Sequence, residues 1–173
     1  MNIAGYRFVD LDDRDELQAM FRSLCLDLGI KGTVLLAPEG INFFLAGPAT
    51  SIEGFTAFLE QDTRFRGIPL KVSSTDYQPF NRLNIRKKNE IISVGLDHVR
   101  PVDFTGPEIE PQDFKAMLDA GEPVHVLDTR NDYERRLGTF DNAIDLNIRT
   151  FRAFPQAIQQ LPDSMKDEPV VMF

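Results

Sequence analysis

Asp128 and Arg130 stand two positions apart, and Glu134 follows four positions after the arginine. They come at the end of a short apolar run, Val124 to Leu127, with the His125 imidazole inside it. An apolar run of this length bounded by turn residues suits the buried strand of a parallel sheet. A strand that stops in an acid and a guanidinium sets charge at the carboxyl edge of the sheet, where α/β proteins place their ligands. Asn131 and Asp132 open a polar, helix-starting turn, and Gly138 to Ala143 reads as a second turn feeding a strand from Ile144 to Ile148. The plainer reading of Arg130 and Glu134 is a surface ion pair at helical spacing, worth a few tenths of a kcal/mol.

The other groups capable of chemistry are few. Cys25 lies between Leu24 and Leu26 in a helix-forming stretch, where a thiol keeps a high pKa and behaves as a small hydrophobe. His125 in a strand and His98 in a loop make no zinc constellation with a single cysteine. Nothing specifies a flavin, a nicotinamide or a metal. The remaining candidate is a basic run, Arg82 and Arg86-Lys87-Lys88, which reads either as a solvated face or as a strip that contacts phosphates.

These residues need elements to hold them. The chain has 173 residues, 42% of them hydrophobic and 27% charged, the composition of a globular protein. No apolar run approaches a membrane span, the amino terminus lacks a secretory pattern, and one cysteine excludes a disulfide framework, so the cytoplasm is expected. A formal net charge of −8 opposes nonspecific nucleic-acid binding over the whole surface. Only the middle segment carries a basic excess.

Tyr6, Phe8 and Val9 predict a strand. Asp13 and Glu16 have capping-box spacing ahead of a helix striped with Leu17, Met20, Phe21, Leu24 and Leu28, closed by Gly29. Thr33–Ala37 and Ile41–Leu45 predict a hairpin through Pro38-Glu39-Gly40, in which Glu39 is an exposed turn acid. Thr50 and Glu53 repeat the capping spacing before Ile52, Phe55, Phe58 and Leu59, and Leu70–Ser73 predicts a last strand. The order β-α-β-β-α-β is ferredoxin-like. Residues 82–94 can also form an extended arm that adds a strand to one domain. Gly95, Pro101, Gly106, Pro107 and Pro111 mark a linker. The expected division is a ferredoxin-like domain over 1–79, a basic connector and linker over 80–110, and a parallel α/β domain over 111–173. The last has a helix opened by Pro111 and closed by Gly121, a helix near Phe151–Leu161, and a closing strand, Val170 to Phe173.

Asp128-x-Arg130, Glu134 and Gly138-x-Phe140-x-x-Ala143 resemble the first signature of a rhodanese domain. Arg130-Asn131-x-Tyr133-Glu134 resembles its form in the rhodanese-containing tRNA uridine hydroxylases, and Lys31-Gly32 through Glu39-Gly40-Ile41-Asn42 resembles the amino-terminal domain of that family. The resemblance implies C5 hydroxylation of the wobble uridine of tRNA with dioxygen as co-substrate. It also implies a reactive cysteine on a loop that follows a strand like Val170–Phe173. The nucleophile is therefore expected immediately after Phe173, none of the 173 residues is expected to be catalytic, and the chain is expected to be part of a longer protein, inactive alone. Asp128, Arg130 and Glu134 are then expected to support the active-site loop. Arg82, Arg86, Lys87 and Lys88 are candidates for RNA contact, with Glu39 and Asn42 as weaker ones. Thr139 and Asn142 depart from the His and Gly common in rhodanese signatures, the second asking Asn to accept a left-handed turn. Two alternatives stay open: a sulfurtransferase carrying a cysteine persulfide, and a noncatalytic rhodanese-type binding module.

Overall fold

A computed structural model describes the chain from Met1 to Phe173 apart from Ser93, Asp97, His98 and Arg100, so the loop placement expected for His98 lies outside the described residues. The chain divides into two compact units, one built on Met1–Ile91 and the other on Thr105–Phe173, with the intervening segment contributing to both. Among the described residues no helix is long and apolar enough to cross a membrane.

The first unit runs β1 (Asn2–Phe8), α1 (Arg14–Asp27), β2 (Lys31–Ala37), β3 (Gly40–Ala46), α2 (Ala49–Gln61), β4 (Lys71–Ser73) and β5 (Leu83–Lys87). Its sheet has the order β4-β1-β3-β2-β5. The first four strands pair antiparallel in the ferredoxin-like arrangement, and β5 joins the free edge of β2 in parallel, Val34 opposite Ile85. Part of the segment expected as a connector is thus a fifth strand of this sheet. Strand alternation sends Ile3, Val34, Leu36, Ile41, Phe43, Leu45 and Ile85 into one core with Leu17, Phe21 and Cys25 of α1 and Ile52, Phe55 and Leu59 of α2. Phe21 sits at its centre, with ring centroids 5.7–5.9 Å from Phe58, Phe55 and Phe65.

Several local expectations change. β1 begins at Asn2, earlier than its aromatic residues suggest, because its register with β3 runs as far as Ala46. Met20 is 46% exposed, and Cys25 takes its place in the buried stripe of α1. Neither capping box forms. Asp13 does precede α1, but its carboxylate receives Arg64 Nη1 at 2.6 Å instead of a helix N–H. α2 starts after Pro48, which puts Thr50 inside the helix. At the other end of α1 the expected glycine closure is present. Gly29 has φ +65°, its N–H donates to Leu26 O at 3.1 Å, and that of Ile30 donates to Cys25 O at 2.8 Å. The β2–β3 hairpin needs Gly40, at φ +147°, because a Cβ there would sit 2.0 Å from Arg7 O.

The second unit contains α3 (Pro111–Asp119), β6 (His125–Asp128), α4 (Asp132–Arg135), β7 (Ile144–Asp145), α5 (Phe154–Ile158) and β8 (Val170–Met172). Its three strands are parallel in the order β7-β6-β8. β7 has two residues where five were expected, since Asn147 adopts φ +51° and leaves the extended region. A 3-10 turn, Phe151–Ala153, leads into α5, whose first turn holds Pro155 where its missing N–H costs nothing. The core here is small: Phe114, Val126, Leu127, Ile148 and Met165 are buried, and so is Asp128.

Candidate functional site

β6 ends at Asp128, which is 1% exposed and the one buried charged side chain among the described residues. An isolated carboxylate at such a site would carry a desolvation cost of several kcal/mol. Asp128 avoids it by accepting four bonds. Oδ1 receives the Arg130 backbone N–H at 3.1 Å and Nε–H at 3.0 Å, while Oδ2 receives Arg130 Nη2 and Thr139 Oγ1, each at 2.8 Å. The fork of Arg130 first, and the Thr139 hydroxyl with it, hold the carboxyl down at about 2 against burial, which raises it. Ionised and with its acceptor sites filled, Asp128 is an anchor for the turn and not a general base.

The anchor fixes its surroundings. Arg130 Nη2 also donates to Gly138 O at 2.7 Å, closing the segment between β6 and β7. The guanidinium carbon lies 4.8 Å from the centroid of the Phe173 ring, which meets Phe140 edge-on at 4.8 Å. Thr129 donates twice to Phe173 O, from its backbone N–H at 3.0 Å and its hydroxyl at 2.8 Å. β6 and β8 lie side by side in parallel, His125 opposite Val170 and Leu127 opposite Met172, so their carboxyl ends share one edge.

Glu134 takes a different place. It makes no ion pair with Arg130: its Oε2 accepts from the Asn131 backbone N–H at 3.2 Å and from Asn131 Nδ2 at 2.8 Å, at the start of α4. Arg130 precedes the helix, so the helical i,i+4 geometry never forms. Asn142 does adopt the left-handed conformation, at φ +62°. Thr139, noted in the sequence only for not being His, supplies a bond that closes the cluster. Neither it nor Phe173 carries a pattern that singles it out before folding.

In the first unit the basic run does not stay together. Arg86 and Lys87 are consecutive in a strand and point to opposite faces. Lys87 pairs with Asp15 of α1 on the helix side, while Arg86 shares the other face with Asn84, whose Oδ1 accepts its Nε–H at 2.9 Å. Lys88 follows the strand and Arg82 precedes it, and both are exposed. Asn42 lies on the same open face as Arg86, linked through the register Asn42–Leu35–Arg86. Glu39, expected as an exposed turn acid, is half-buried, because its Oε1 accepts the N–H of Ile91 at 2.6 Å, a residue far along the chain beyond β5. Cys25 is fully buried and burial pushes its thiol up to about 11, which makes it packing. Among the described residues no three His, Cys, Asp or Glu side chains gather as a metal site.

Residues 1–91 match the family model described as the UPF0176 acylphosphatase like domain. A curated protein of Cupriavidus pinatubonensis, named tRNA uridine(34) hydroxylase, is 47% identical over all of this chain and 63% of its own length. One of Thiobacillus denitrificans with the same name is 43% identical, and the chain spans 72% of it. A solved structure, BlsA in its ground state, aligns over 69% of this chain and 86% of its own at 18% identity, with a TM-score of 0.42 that says nothing of function. The chain thus spans a little under two thirds of the Cupriavidus relative and somewhat more of the Thiobacillus one, and it belongs to the tRNA uridine(34) hydroxylase family.

Proposed function

We propose that the protein to which this chain belongs hydroxylates C5 of uridine 34 in tRNA, with dioxygen as the oxygen source. Beyond family membership, the observation that supports this reading is the shared carboxyl edge of β6 and β8, where a parallel sheet presents reacting groups and where the Asp128–Arg130 fork stands. In this reading Asp128 and Arg130 are positioning residues: they hold rigid the turn against which an active-site loop is built. Glu134 contributes indirectly, by fixing the start of α4. Arg82, Arg86 and Lys88 offer phosphate contacts from the ferredoxin-like domain, and Lys87 adds charge while tied to Asp15.

The test is deletion of the gene in the source organism, followed by nucleoside mass spectrometry of its tRNA. Hydroxylated uridine at position 34 should fall, return with the wild-type gene, and return only in part with Asp128→Ala. Unchanged hydroxyuridine together with thiosulfate:cyanide activity in the purified protein would replace this reading with the sulfurtransferase one.

A further inference from the structure

We infer that the open face of the first sheet is a stacking platform for unpaired RNA bases, and that it receives the anticodon loop. The identity of the RNA rests on the proposed activity; the platform rests on geometry. α1 and α2 cover one face of the sheet, and alternate residues of the same strands point the other way. On the two adjacent inner strands these include Tyr6 of β1 and Phe44 of β3, 52% and 55% exposed. Tyr6 lies opposite Asn42, and Phe44 opposite Ala4, so the two rings are diagonal neighbours. Side chains so related are about 7–8 Å apart, and the Tyr6 ring also meets Phe8 of β1 edge-to-face at 5.8 Å, so the face presents a small aromatic cluster on which a base can stack.

The surroundings suit a nucleic acid. Asn42 sits beside Tyr6 with amide donors and an acceptor for a base edge, and the same row reaches Arg86 at the β5 edge. Lys71 stands opposite Ala4 on β4, and Lys31 opposite Ala46 at the end of β2. No Asp or Glu occupies a strand position on this face, although the chain carries a formal charge of −8. None stands on the helix-covered face either, so the acids that make the protein anionic lie outside the strands of this sheet altogether. A solvated antiparallel face is ordinarily polar. Exposed rings between cations are what unpaired bases and their phosphates bind, by stacking that tolerates any base. Uridine 34 belongs to a tRNA loop whose bases are unpaired, so this face and that loop are chemically matched.

The probe is an RNA hairpin with the sequence of an anticodon stem-loop containing uridine 34, measured by fluorescence anisotropy against the purified protein. A fully paired RNA of equal length is the control. Tyr6→Ala and Phe44→Ala should each weaken hairpin binding by about 5- to 150-fold and leave duplex binding unchanged, while Tyr6→Phe retains affinity. Arg86→Glu and Lys31→Glu should flatten the salt dependence. An unchanged melting temperature in each variant separates lost contact from lost fold. Alanine variants that melt normally and bind the hairpin like wild type would overturn the inference. So would a change from dimer to monomer with RNA affinity intact, which would assign the face to a second copy of the chain. Normal hairpin binding by the variants, with hydroxyuridine lost on gene deletion, sinks the platform and leaves the activity. Ring-dependent binding with hydroxyuridine intact does the reverse.

Discussion

The two units use their sheets in opposite ways. The first encloses a large core of aromatic and branched side chains whose only titratable member is a thiol, and it keeps charged groups at the surface. The second has a few buried apolar residues and, among the described residues, commits its one buried carboxylate to the end of its central strand. In the first, stability comes from apolar area removed from water. In the second, an ion pair with its hydrogen bonds holds a turn in one geometry, the attested use of a buried charge whose net contribution to stability is small. The difference marks the first as a scaffold held by its core, and the second as a place where local rigidity matters more than core size.

Each arm of that contrast can be broken separately. Phe21→Ala should cost about 4 kcal/mol, since it opens a cavity among Phe55, Phe58 and Phe65. Hydrogen exchange should show protection lost across β1–β3 and kept in β6. If β6 loses protection equally, the two units do not unfold independently.

Asp128→Ala should cost less, about 2–3 kcal/mol, because the Arg130 guanidinium it abandons is partly open to water. Its loss should appear as faster exchange at Thr129 and Phe173, whose bonds depend on the turn. Unchanged exchange there would reduce the fork to an ornament of the loop.

Acid offers a gentler version of the same test. The folded-state pKa of Asp128 is depressed, from 3.8 to about 2, by the Arg130 bonds above all. Its contribution is therefore complete above pH 4 and disappears as pH falls through 2, on the order of 2 kcal/mol in all. In urea titrations Asp128→Asn should remove that part of the acid slope in the second unit. An identical slope in the variant would show that other carboxylates govern it.

The smallest expected effect sharpens the scaffold side. Gly54 lies inside α2, and a Cβ there would meet the Leu28 methyls at 3.4 and 3.5 Å, ordinary contact. Gly54→Ala should therefore stabilise the first unit by about 0.5–1 kcal/mol, read as a higher urea midpoint. Destabilisation instead would mean that Leu28 cannot yield.

Much of this was legible before folding because it is local. The stripe from Leu17 to Leu28, the left-handed position at Gly29 and the alternation of β2 and β3 each express a backbone period or a steric rule acting within a few residues. The Asp13 capping box misled because its spacing is local while its competitor is not. Arg64 is remote in sequence from Asp13 and takes its carboxylate away from the helix. The basic run misled for the complementary reason: adjacency in sequence is opposition across a strand.

At the site, Asp128 and Arg130 could be singled out because a strand that stops in charge is unusual in itself. Glu134 could not be placed, since its choice between Arg130 and Asn131 depends on the residue at which α4 begins. By itself the sequence determined the elements, the ferredoxin-like order and the family, all functions of residue type and short-range spacing. Only the tertiary structure decided which residues meet: β5 on the edge of β2, Thr139 and Phe173 around the Asp128–Arg130 fork, and Tyr6, Asn42, Phe44 and Arg86 on one open face. Such meetings depend on strand register and chain reversal, which bring together residues that carry no mark of one another in the linear chain.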